Sequence, residues 1–207
     1  MLPARAGSVF LIIMKRLIII SIVFLCSSAS VFAGKLIVDI NKLEDHNDTM
    51  YYQSKLFDGV AIMKMSNGNI LLQTTYKNGL PNGKEITYFA NGNKRSESMM
   101  HNGKYNGKVI HYYENGQIKS SETYKEDYKY GPAIYYYEDG TKKSEGSYYD
   151  CKEVGIWIEY YPNGQKKAEG AYHEAQKTGE WKYWDEKGNL VKTENFDKKN
   201  PLLPVGY

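Results

Sequence analysis

Two cysteines, Cys26 and Cys151, stand in a chain of 207 residues. The first falls in the apolar front end considered below. If it leaves with a leader, one thiol remains and no internal disulfide framework can form. An excess of charge is also missing. Arg5, Lys15 and Arg16 are the only charged residues in positions 1–33, and removing those three from 27 leaves 24 basic residues against 24 acidic. A neutral body lacks the basic face that nucleic acid binding needs to neutralise phosphates, so no nucleic acid partner is expected. Catalytic signatures are absent as well: no Gly-x-Ser-x-Gly, no His-Glu-x-x-His, no phosphate-cradling loop. His46, His101, His111 and His173 do not pair at metal-ligand spacing. Cys151 has no histidine partner in view to lower its pKa, so it reads as an incidental thiol. No catalytic residue, metal or cofactor is assigned, and an enzyme is not expected.

The front end has the layout of an export signal. Lys15-Arg16 supplies a short basic region, Leu17 to Cys26 is a continuous apolar run, and Val31-Phe32-Ala33 ends in a small residue ahead of Gly34. The apolar stretch is short for a span of about 20 residues, so residues 1–33 are expected to be cleaved rather than kept as an anchor. Because Met14 directly precedes Lys15, a start there would leave 1–13 outside the native chain. The expected location is outside the cytoplasm: periplasmic, at the outer surface or secreted.

What the chain has in quantity is a period. Glycines stand at 59, 83, 107, 131, 155 and 179, and a second set at 68, 92, 116, 140, 164 and 188; both sets step by 24 without interruption. Between the two glycines each copy is rich in Ile, Val, Tyr and Trp, as in Gly107-Lys-Val-Ile-His-Tyr-Tyr-Glu-Asn-Gly116, which suits a pleated surface. The second glycine closes a turn, most often Asn-Gly, and a second strand follows, as from Gln165 to Tyr172. A polar connection of about six residues is expected to lead to the next copy. Six hairpins over 59–196 result, preceded by a degenerate cap over 34–58 and followed by a Pro-containing tail, 197–207. The predicted fold is all-β: an elongated antiparallel meander of about twelve strands in a single layer, about 55 Å long at about 4.8 Å per strand.

Pro162 selects the turn. It suits the first corner of a type I turn, followed by Gly164 in a left-handed conformation, so the loop is Pro162-Asn163-Gly164. Continued without interruption, that register pairs Glu159 with Lys167 and Ile158 with Ala168. Ile158, Tyr160, Ala168, Gly170 and Tyr172 would then share a packed face. The other face would be solvated: Glu159–Lys167, Tyr135–Lys143, His111–Lys119 and Thr87–Arg95, with a row of Phe89, Tyr113, Tyr137 and Tyr161. That row, with Trp157 and Trp181, is the candidate binding surface, since Tyr and Trp are favoured at interfaces and also stack on sugars.

The pattern Gly-x-Trp/Ile-x-x-Tyr-Tyr-x-Asn-Gly, followed by Lys-x-x-Glu-Gly-x-Tyr, resembles the MORN-repeat variant of bacterial proteins of the YwqK antitoxin type. It covers about residues 50–196 and is sharpest in the copies starting at Gly131 and Gly155. The first copy departs from it with Lys64 in place of Tyr, and the last has Trp184-Asp185 for Tyr-Tyr. The resemblance implies a β-hairpin ribbon with a binding or scaffolding role. An export signal would separate this chain from a cytoplasmic toxin. The expected partner is another protein, of unspecified identity; a cell-envelope glycan is the alternative.

Overall fold

The structure is a computed structural model that describes the backbone of residues 30–32 and the whole of residues 34–197. The front end, apart from 30–32, and the end of the tail lie outside the described residues. Two short strands come first: β1 (Ser30–Phe32) and β2 (Lys35–Asp39), then a 3-10 turn at Ile40–Lys42 that Asp39 caps by accepting from the Asn41 N–H at 2.9 Å. A separate three-stranded sheet follows: β3 (Glu44–His46), β4 (Thr49–Tyr52) and β5 (Lys55–Leu56). The body is six hairpins. These are β6 (Gly59–Lys64) with β7 (Ile70–Lys77), β8 (Leu80–Tyr88) with β9 (Lys94–His101), and β10 (Lys104–Tyr112) with β11 (Ile118–Lys125). Then come β12 (Tyr128–Tyr136) with β13 (Lys142–Tyr149), β14 (Lys152–Tyr160) with β15 (Lys166–His173), and β16 (Gln176–Trp184) with β17 (Leu190–Asn195).

These twelve strands pair in chain order, each antiparallel to the next, as the period predicts. At the front, β2 joins β6 in parallel, with β1 beyond it. Cleavage before Gly34 would therefore remove β1 and leave β2 at the edge. The small sheet docks through backbone bonds from Met50 N–H to the Gly79 carbonyl (2.8 Å) and from Gly79 N–H to the Phe57 carbonyl (2.9 Å). Beneath it, Val38, Phe57, Ala61 and Tyr76 form a buried core flanked by Leu36, Ile40 and Met50, which closes the first hairpin's apolar end. A hairpin alone is marginal, so this closure and the stacking of copies supply the stability.

The expected loops are present. Tyr161 N–H donates to the Gln165 carbonyl and Gly164 N–H to the Tyr161 carbonyl, both at 2.9 Å, which encloses Pro162-Asn163-Gly164. Gly116, Gly140 and Gly164 have φ of 88°, 88° and 83°, the left-handed region that a Cβ disfavours.

Two expectations are corrected. The register does not continue evenly beyond the loop: Tyr160 pairs with Lys166, but Glu159 pairs with Ala168 and Ile158 with Glu169, so Lys167 is an extra residue. The same single-residue bulge recurs in every hairpin. Because strand side chains alternate, one extra residue moves the whole second strand to the opposite face. Ile158 and Tyr160 do share a face, yet Ala168, Gly170 and Tyr172 lie on the other, beside Trp157 and Glu159. The second correction concerns the connections between copies. They are two-residue turns with both residues at positive φ, as at Asn102 (49°) and Gly103 (82°), not loops of six residues. The strands run up to these turns and carry the first set of glycines inside them, at bulges such as the one between Tyr105 and Val109.

Candidate functional site

The face that bears Trp157 and Trp181, termed the inner face, is where the ribbon buries its aromatic residues. Along its floor the first strands contribute Ala61, Glu85, Val109, Ala133, Trp157 and Trp181. The preceding strands contribute Thr74, Ser98, Glu122, Gly146 and Gly170 for the last five of these. Trp157 is 7% exposed and Trp181 0%. Each indole lies over the glycine of the strand before it, and its N–H donates onward: Trp157 Nε1 to the Ser147 carbonyl at 3.2 Å, Trp181 Nε1 to the Ala171 carbonyl at 3.0 Å. Tyr148 and Tyr172 meet the indoles edge-on, at 5.2 Å for Tyr148–Trp157 and 5.1 Å for Tyr172–Trp181. Lys177 closes the end of the row with its ammonium 3.8 Å from the Trp181 ring centroid.

One copy fills the floor differently. Beside Ala133 stands Glu122, a buried carboxylate that accepts from Lys129 Nζ at 2.6 Å and from the Tyr135 hydroxyl at 2.5 Å, with Tyr148 Oη 3.1 Å further on. Burial disfavours the Lys129 ammonium, but the hydrogen bond and charge of Glu122 outweigh it and hold the group above its ordinary range. Burial, followed by the bond to Glu122, raises the Tyr135 phenol far above its usual range. A buried acid tied to a cation and a phenol is a satisfied polar core rather than a free general base.

The row Phe89, Tyr113, Tyr137 and Tyr161 lies along this same face, half-buried at its rim. Each tyrosine hydroxyl donates to a backbone carbonyl of the next copy: Tyr113 to Tyr136 (2.8 Å), Tyr137 to Tyr160 (2.8 Å), Tyr161 to Trp184 (2.9 Å). Loop asparagines repeat the step on the edge, with Asn115 Nδ2 on the Glu138 carbonyl (3.0 Å) and Asn163 Nδ2 on the Glu186 carbonyl (2.8 Å). Above the rings sit cations: Arg95 over Phe89 (6.0 Å), Lys119 over Tyr113 (5.7 Å) and Lys143 over Tyr137 (5.7 Å). Two adjoining hollows of about 320 and 330 Å³ open on this face. They share Lys143, Ser144 and Trp157, and Tyr137 and Tyr113 stand on their respective walls.

All six candidate residues thus come together on one face, but not as an open aromatic surface. Trp157 and Trp181 are corrected from surface to floor: each sits in the space that a glycine of the neighbouring strand leaves. The tyrosines are rim residues whose hydroxyls tie copies together. Arg95, Lys119, Lys143 and Lys167 remain exposed along this row, and among the described residues the first three have no carboxylate within 4.0 Å. Their 24-residue spacing is visible in the sequence; the isolation of those three from carboxylates is not.

The fold and this face define a class: a single-sheet repeat protein whose unit is a hairpin running from one two-residue turn to the next. The family model described as MORN repeat variant matches residues 81–102, 105–126, 129–149, 153–174 and 177–198, more than half of the chain. The chain belongs to that family. Such repeats commonly serve as protein- or membrane-binding modules. The match is to the repeat and does not single out the antitoxin type. A search of curated proteins gives no significant match. The first hairpin, with Lys64, lies outside the matched span although it forms the same β6–β7 unit.

Proposed function

We propose that this chain is an exported, non-enzymatic repeat module that binds another protein along its inner face. The observation that carries the reading is the pairing of a rigid, hydrogen-bonded aromatic floor with an exposed rim of Arg95, Lys119 and Lys143. Interfaces favour this combination of anchored aromatic residues and polar rim. Export rests on Lys15-Arg16, the apolar run from Leu17 and Val31-Phe32-Ala33. The titratable groups drawn together on the floor are committed to one another, which favours a structural role for them over catalysis.

Binding of a cell-envelope glycan is the second reading, favoured by the tyrosine rows. It is weakened because stacking on a sugar needs a free ring face, and Tyr113 and Tyr137 already carry Lys119 and Lys143. The test is photo-crosslinking in the native host from position 119 on the inner face and position 166 on the outer. A protein adduct specific to position 119 is expected. Adducts to glycan alone, or equal yields from both positions, would reject the reading. Mass spectrometry of the same material should find the N-terminus at or near Gly34; an intact cytosolic product would remove the export part.

A further inference from the structure

We propose that the stretch of inner face from Arg95 to Lys143 recognises an acidic protein segment in extended conformation, with a carboxylate at about every third residue. The proposal rests on the protein-binding reading and names the chemistry of the partner. Its basis is a contrast between neighbouring cations. On the outer face, the lysines that follow three of the six loops are neutralised: Lys94 by Glu97 (2.6 Å), Lys142 by Glu145 (2.9 Å), Lys166 by Glu169 (2.5 Å). On the inner face, Arg95, Lys119 and Lys143 are exposed. Among the described residues, the ion pairs within 4.0 Å engage other cations. The next member of the row, Lys167, is held by Glu159 at 3.4 Å, so the free positive charge ends there.

Each of these cations has its charged group over an aromatic ring, at 5.7–6.0 Å from the centroid, and is otherwise exposed to solvent, so N–H donors remain available to a ligand. The hydroxyls of Tyr113 and Tyr137 are bonded to backbone and each ring carries a cation, so the polar chemistry that the surface still offers is positive charge with donors. His111, between Arg95 and Lys119, senses that charge. Burial lowers its pKa first; Glu122 opposes, and Lys119, Lys129 and Arg95 add to the lowering.

The spacing selects the ligand. Equivalent residues of successive copies are two strands apart, roughly 9.6 Å. A chain in the extended polyproline II conformation has three residues per turn and advances about 3.1 Å per residue, so every third side chain returns to the same side after about 9.3 Å and matches the step. Phosphates of a nucleic acid strand are set more closely, and the balanced charge of residues 34–207 gives no long-range attraction for such a polyanion.

The experiment titrates the full chain into labelled synthetic peptides: one with aspartate at every third position, and one of the same composition with the aspartates contiguous. Polygalacturonate and phosphatidylglycerol vesicles are run beside them. Tighter binding of the spaced peptide is expected, by about tenfold, weakening as salt rises from about 50 to 200 mM. The double variant K119Q/K143Q should lose about tenfold or more, and K142Q/K166Q on the outer face should bind as the parent does. Both doubles must melt within a few degrees of the parent, and the peptide should raise the His111 pKa seen by NMR. Equal binding of the two peptides, or full binding by K119Q/K143Q, overturns the proposal. A protein crosslink at position 119 that persists in an R95Q/K143Q background overturns it while leaving the protein-binding reading intact. Binding of polygalacturonate or vesicles with no binding of either peptide, together with no protein crosslink, overturns both.

Discussion

The indole of Trp157 occupies the space where a side chain at Gly146 would begin. A Cβ at Gly146 would fall among the ring atoms, and one at Gly170 would meet Trp181 in the same way. The relation joins consecutive copies, because the glycine is on the second strand of one hairpin and the tryptophan on the first strand of the next. Where the floor residue is smaller, its neighbour is larger: Val109 stands beside Ser98, and Ala133 beside Glu122. Copies are matched in volume to their neighbours, and a dense core tolerates little deviation.

Gly170→Ala should therefore destabilise the chain by about 1–3 kcal/mol through overpacking. Trp181→Ala should cost roughly 3–5 kcal/mol through the cavity it leaves. Combining Gly146→Ala with Trp157→Ala should cost less than the sum of the two single changes, since the added methyl then enters vacated space. Urea denaturation of both singles and the double reads this coupling; strict additivity would mean that ring and glycine do not share space.

The tyrosine row gives a second test. Tyr113, Tyr137 and Tyr161 each donate to a backbone carbonyl of the next copy, so Tyr→Phe at each should cost about 1 kcal/mol. Replacing all three by Ser removes the rings as well and should lower the melting temperature much further. The face expected from an even register would have made the serine triple nearly neutral. Melting curves that leave it unchanged would restore that register and remove the bulge.

The turns between copies hold residues other than glycine in the left-handed region: Asp150 and Cys151 at φ of 50° and 63°, Glu174 and Ala175 at 49° and 65°. Asn-Gly occupies the equivalent turns at 78–79 and 102–103. Ala175→Gly and Cys151→Gly should each stabilise the chain by about 1 kcal/mol, because the cost of a Cβ at positive φ exceeds the added freedom of the unfolded chain. A drop in thermal midpoint for either variant would contradict the turn geometry.

The outer face should respond to pH. Burial first, then the hydrogen bond to Glu145, pushes the Tyr160 phenol up to about 12. A raised pKa in the folded state means that the contribution is whole below 10.0, the ordinary value. It is lost as pH rises from there through about 12, because the unfolded chain ionises first. Glu145 is held below 4.5 by the Tyr160 hydroxyl and then by Lys142, so its contribution is whole above that value and fades as pH falls beneath it. Tyr160→Phe should flatten the alkaline limb of the stability profile and, with the donor gone, shrink the acid limb. An unchanged profile on both sides would show that the two groups are not coupled.

The sequence by itself determined what is local and periodic in this protein. Twelve glycines in two registers define six hairpins, Asn-Gly and Pro162 define the three-residue loop, and Ile- and Tyr-rich segments define strands; these depend on neighbours along the chain. The Asn-Gly pairs at 78–79 and 102–103 also carried a signal for two-residue turns, obscured in later copies by Glu126-Asp127 and Asp150-Cys151. Which face is buried was decided only in the tertiary structure. Lys167 makes the bulge, yet nothing in its chemistry distinguishes it from Lys166, and one extra residue reverses every side chain after it. Trp157 and Trp181 look like surface aromatics until the neighbouring strand places Gly146 and Gly170 beneath them. The trace of that contact in the chain is that the two tryptophans appear in the copies that follow those two glycines. The isolation of Lys119 and Lys143 from carboxylates was equally invisible, because a step of one residue along the strand puts Lys142 beside Glu145 and turns Lys143 to the opposite side of the sheet.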